Sequence, residues 1–183
     1  PTYVYGLRFE RGRGSEHSPE LGWGTKSRGY LKYMPTDTLS FSLTYQHQRE
    51  NEWLNWYGDN LLATFQRKQR TSVVEMEWFR NNIHELRIKA QMVAFTGREP
   101  QSFLGDLSGN LNPEDIYIPP ITISELAFQV RYRYEIMPLS YLYLVYSKGG
   151  RISLQDEDDD LFSLYRSPWN SPEKEKFTVK LRY

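Results

Sequence analysis

Alternation with period two constrains this chain more than any other feature. "TYVYGLRF" puts Tyr3, Tyr5, Leu7 and Phe9 on one side. "TLSFSLTYQHQ" opposes Leu39, Phe41, Leu43 and Tyr45 to Ser40, Ser42, Thr44 and Gln46. "HELRIKAQMVAF" sets Leu86, Ile88, Ala90, Met92 and Ala94 against Glu85, Arg87, Lys89 and Gln91. "TISELAFQVRYRYEI" sets Leu126, Phe128, Val130, Tyr132 and Tyr134 against Glu125, Gln129, Arg131, Arg133 and Glu135. Strict alternation marks strands with one apolar and one polar face. Helical spacing is nowhere sustained, so the fold class is all-β, with strands expected over 2–9, 24–34, 38–48, 61–79, 84–95, 122–136, 140–149 and 176–183.

The connections come in two sizes. "MPTDT" (34–38), "RNNI" (80–83) and "MPLS" (137–140) are short and carry the Pro, Asn and Asp of tight turns. The segments 10–23, 49–60, 96–121 and 150–175 are long and hold most of the Gly and Pro. Short and long alternate only if "NLLATFQRKQRTSVVEMEWF" is one strand rather than two, which is the reading adopted. That alternation matches the brief turns and extended loops of an up-and-down transmembrane β-barrel. The chain therefore reads as a single barrel domain, 1–183, of about eight strands.

Totals remove several classes of function. Lys+Arg and Asp+Glu are both 23, so the basic excess of a nucleic-acid binder is absent. No cysteine is present, which excludes disulfides and thiolate metal sites. No apolar run reaches the roughly 18 residues of a membrane helix. Pro1 is not an initiator, so further sequence is expected upstream. "FTVKLRY" ends on a strand with an aromatic last residue, and a strand there needs a neighbour, so a sheet closed on itself is expected.

A soluble barrel with its apolar face inward has the same periodicity as a membrane barrel with that face in lipid. Three features favour lipid. Charges of both signs recur at mid-strand. Tyr30, Tyr33, Trp53, Trp56, Trp78, Tyr134, Tyr141 and Trp169 lie near strand ends, as rim girdles require. The apolar, aromatic-ended last strand has the form that barrel assembly machinery recognises. The expected interior set is then Glu75, Glu77, Arg87, Lys89, Gln91, Gln129, Arg131, Arg133, Lys180 and Arg182. The expected lipid-facing set is Phe41, Leu43, Leu86, Ile88, Phe128, Val130, Phe177, Val179 and Leu181.

Catalytic signals are weak. His17, His47 and His84 share no local ligand spacing, and no serine sits in G-x-S-x-G. "DEDDD" (156–160) lacks the spaced ligands and glycine turn of a calcium loop, and reads as a solvated loop. "GDLSGNLNPED" (105–115) brings Asp106, Ser108, Asn110 and Asn112 at alternate positions, which fits a turn cluster as well as a cation loop. "RGRGSE" (11–16) has no following Lys-Ser/Thr and is not a phosphate loop. Trp23, Trp53, Trp56 and Trp169 could stack on sugars or anchor a rim. No metal, cofactor or catalytic residue is expected.

"WFRNNIHELRIKAQMVAF" (78–95), "FQVRYRYEIMPLSYLYLVYSKGG" (128–150) and "WNSPEKEKFTVKLRY" (169–183) resemble the C-terminal barrel region of a family of bacterial outer-membrane proteins of unassigned function. Trp78 opening a strand, "HELR" at 84–87, Gln91, the Arg/Tyr-rich 131–134, Pro138 and "LYLVYS" at 142–147 carry the likeness, which runs from about Gly24 onward. Full-length members pair the barrel with an N-terminal sandwich similar to carbohydrate-binding module family nine. The resemblance implies a non-enzymatic barrel in the bacterial outer membrane, part of a larger barrel than eight strands, whose partners are lipid, the assembly machinery and a saccharide bound by the sandwich. The competing expectations are a soluble lipocalin-like ligand-binding barrel and a membrane-embedded hydrolase or acyltransferase.

Overall fold

The computed structural model describes residues 1–13, 23–154 and 161–183. Its strands are β1 (Thr2–Arg13), β2 (Trp23–Thr36), β3 (Leu39–Gly58), β4 (Leu61–Arg80), β5 (His84–Gly105), β6 (Leu111–Glu114), β7 (Ile121–Met137), β8 (Ser140–Leu154) and β9 (Lys174–Arg182). They form one antiparallel sheet in the order β1-β2-β3-β4-β5-β7-β8-β9, with the short β6 paired to the end of β5. The order is up-and-down throughout. β4 is a single strand, and the eight expected strands are all present.

The sheet is not closed. β1 and β9 are its two ends and do not pair with each other. The expectation of a sheet sealed on itself is therefore corrected for the described residues.

The strands run longer than alternation alone implies. Segment 49–60, read as a loop, is mostly β3, and much of 96–121 is β5 and β6. Extra residues explain the misreading. β3 takes one more residue than β4 between Glu50 and Trp53, and β5 one more than β4 between Arg98 and Gln101. Each such bulge flips the side chains that follow and breaks the period of two. Glu99 sits at the second bulge with φ 49°. The short turns are as expected. Asn81 and Asn82 both take positive φ, which Asn tolerates, and Leu139 follows Pro138 at φ 68°.

A helix was not expected, yet α1 (Leu161–Asn170) follows β8. Pro168 within it has no N–H to give the Leu164 carbonyl. The Ser124 hydroxyl of β7 donates to that carbonyl instead. Trp169 meets Phe128 edge-on at 5.3 Å, and the Lys148 ammonium lies 4.7 Å from the Trp169 ring centre. A side chain at Gly150 would come within 2.7 Å of the Pro168 carbonyl, so the helix backbone crosses β8 at its bare position.

Candidate functional site

Register divides the sheet into two chemically different faces. Glu75 lies opposite Lys89, which lies opposite Gln129, then Ser147 and Lys176. The next row runs Glu77, Arg87, Arg131, Val145 and Thr178, and the one beyond it Phe79, Glu85, Arg133, Tyr143 and Lys180. Gln91 and Arg182 keep the same parity. All ten residues of the expected interior set thus share one face.

The other face is apolar. One row reads Tyr3, Tyr33, Phe41, Met76, Ile88, Val130, Tyr146 and Phe177 across eight strands. The row on one side of it holds Leu39, Trp78, Leu86, Tyr132, Leu144 and Val179. The row on the other side runs Tyr5, Leu31, Leu43, Val74, Ala90 and Phe128, then meets Lys148 and Glu175 where α1 packs. With Leu181 beside Leu142, all nine residues expected to face lipid lie here.

Between His84 and Met92 these rows form a belt. The eight steps between those residues rise roughly 26 Å along the strand at about 3.3 Å each. Past the belt the same face turns polar, with His47 opposite Arg70 and Arg49 opposite Lys68. Many belt side chains are exposed: Leu7 is 91 %, Phe177 65 % and Val74 51 % accessible.

The aromatic rim is only partly as expected. Tyr33, Trp78 and Tyr134 are on the apolar face toward the short turns, and Trp56 is exposed near the β3–β4 turn. Tyr30 and Tyr141 have the parity of the polar face, and Trp53 joins a buried cluster with Ala63, Phe65 and Ile118. Tyr30 and Tyr33 are an odd number of residues apart, so one strand cannot present both to lipid.

Charges on the polar face are paired across strands. Lys89 Nζ is 2.8 Å from Glu75 Oε1, and the Ser42 hydroxyl donates to the other Glu75 oxygen at 3.3 Å. Glu85 is 5 % exposed and meets three guanidiniums: Arg87 at 2.5 Å, Arg131 at 3.1 Å and Arg133 at 3.1 Å. Arg87 also reaches Glu77 at 3.6 Å. Toward the long connections, Arg67 pairs with Glu50 at 3.3 Å, its guanidinium 5.4 Å from the ring centres of both Trp53 and Phe95. Arg151 pairs with Glu125 at 3.4 Å. Alternation placed Glu85 and Glu125 on the polar side without including them in the expected interior set, and Glu50 was not singled out from the sequence.

The remaining candidates resolve into structure. His84 Nδ1 is 2.7 Å from the Tyr132 hydroxyl, and its ring stacks on Tyr134. The His84 bond is thus to a tyrosine rather than a serine, and among the described residues no three His, Cys, Asp or Glu converge as metal ligands. Asp106 accepts from the Ser108 and Asn110 backbone N–H at 2.8 Å and from the Asn110 amide at 2.9 Å. Gly109 completes that turn at φ 83°. The carboxylate is thus engaged within its own turn, and the Asn110 side chain, followed by backbone N–H groups, holds its pKa below the usual value. Trp23 is exposed, with Arg11 4.7 Å from its ring centre. His17, "DEDDD" and residues 14–16 of "RGRGSE" lie outside the described residues. An open groove of about 740 Å³ beside β6 is lined by Phe103, Tyr117, Glu114 and Asp115. No family model matches the chain, and no curated protein matches it either.

Proposed function

We propose that this sheet is part of a β-barrel in the bacterial outer membrane, with the apolar belt toward lipid and the ion-pair face toward an interior. It serves as a non-enzymatic anchor for a larger protein. The belt carries this reading. It crosses all eight strands of the main path on one face, its side chains are accessible, and among the described residues only α1 covers part of it, at one end. Contiguous exposed apolar surface of that extent is an interaction surface. A transmembrane strand needs about 9–11 tilted residues, and the belt supplies about nine. Cross-strand carboxylate–cation pairs suit a wet interior.

The open edges fit a barrel with more strands than these. Such a barrel is wide enough for a passage, whereas eight strands alone are filled by their own side chains. The resemblance of 78–95 and 128–150 to the outer-membrane family supports a whole protein that joins this region to a saccharide-binding sandwich. β9, with Phe177, Val179 and Leu181 on the belt face, carries the alternation suited to recognition by the assembly machinery.

Brominated acyl chains test the assignment through Trp78, which lies in a belt row. Reconstituted in bilayers containing brominated lipid, the protein should lose most of the Trp78 fluorescence, read from a variant with the other tryptophans replaced by Phe. A chain that stays soluble without detergent and shows no quenching is the lipocalin-like alternative, and the membrane reading then fails.

A further inference from the structure

Cross-strand ion pairs on the polar face follow a direction. Arg67 on β4 is met by Glu50 on β3, and Lys89 on β5 by Glu75 on β4. Arg131 on β7 is met by Glu85 on β5, and Arg151 on β8 by Glu125 on β7. Each carboxylate comes from the neighbour on the β1 side.

β9 breaks this order. Its polar face presents Lys174, Lys176, Lys180 and Arg182, whose register partners on β8 are Gly149, Ser147, Tyr143 and Tyr141. None of those is an acid. The four cations are exposed, and none forms an ion pair with a described residue. Glu175 points to the other face, where the Tyr146 hydroxyl donates to it. Four cations in one column repel each other, most strongly where water is scarce. Among the described residues nothing pairs with the far edge of β9, whose backbone donors and acceptors are a template for another strand.

We infer that β9 pairs along its open edge with an antiparallel strand carrying Asp or Glu at alternate positions on the polar face. The inference rests on the proposed larger barrel and specifies its next strand. β1 does not meet the requirement. It has one acid on that face, Glu10, already paired with Arg8, so neither closure by this β1 nor by that of a second copy neutralises the column.

The test uses the whole chain folded in detergent micelles and two labelled extended peptides. These share their apolar positions and carry either Glu or Lys at the alternate ones. The Glu peptide should bind at least tenfold more tightly, with the preference shrinking as salt rises. Lys176→Glu combined with Lys180→Glu should invert the preference. Lys176→Gln with Lys180→Gln should reduce it to near parity, and serves if the reversal variant does not fold. Equal binding of the two peptides, no binding of either, or self-association of the chain that blocks both overturns the inference. Trp78 quenching reads the barrel assignment separately, so a quenched protein indifferent to peptide charge loses this inference alone.

Discussion

Glu85 shows what a single side chain does in a one-layer sheet. Among the described residues no second layer covers it; Arg87, Arg131 and Arg133 bury it with their own stems and satisfy its charge. Replacing it by Gln keeps the shape and strips the counter-charge from Arg131 and Arg133. Glu85→Gln should destabilise by roughly 1–3 kcal/mol, since one member of a shielded pair is lost while the other stays. Glu77→Gln removes only a second partner of Arg87 and should cost under about 1 kcal/mol. Denaturant unfolding in micelles measures both, and equal costs would refute the ranking. Asp106 acts locally. Its folded pKa is lowered by Asn110, so the turn's stabilisation is complete above the ordinary aspartate value of about 4 and is lost as pH falls through the lower folded value. An NMR titration of the Ser108 and Asn110 amides should show a midpoint below that of a free aspartate. Asp106→Asn should abolish the transition.

Helix α1 stays on the sheet through a substitution of donors. Pro168 withholds the bond that Leu164 expects, and Ser124 supplies it from β7. Ser124→Ala leaves a buried carbonyl unpaired, which costs about 1–3 kcal/mol of helix docking. Limited proteolysis should then nick 161–170 faster while the strands persist. Gly150→Ala should release the helix further, because the added carbon would lie 2.7 Å from the Pro168 carbonyl. These contacts also mark where sequence stops being legible. β1, β7, β9 and β5 as far as Arg98 are readable because their apolar residues keep period two without interruption. β3 beyond Glu50 is not, because a bulge reverses its parity, and nothing local in "RENEWLNWYG" announces the extra residue. "LFSLYRSPWN" is under three turns and contains a proline, too little for helical spacing to emerge. The polar set was legible as parity along each strand. Its pairing was not, since Glu85 becomes the partner of Arg131 and Arg133 only once β5 is set beside β7 across an intervening β6.

Over the whole molecule, the cost of a charge at each depth of the belt reports which medium the belt meets. Val130 lies in the central row of the belt, Leu142 in the row nearest the short turns, and Gln129 next to Val130 on the opposite face. In hydrocarbon, Arg at the midplane of a barrel costs about 2–4 kcal/mol and near the interface about 0–1 kcal/mol. Val130→Arg should therefore destabilise the bilayer-reconstituted protein by about 2–4 kcal/mol and Leu142→Arg by under about 1 kcal/mol. Gln129→Arg joins the ion-pair face and should stay within about 0.5 kcal/mol. A soluble sheet has no reason to grade the first two by depth. If Val130→Arg and Leu142→Arg cost the same, or if Gln129→Arg is the most damaging of the three, the belt is not in lipid. The chain must then cover those rows with protein, and the ion-pair face becomes its outer surface.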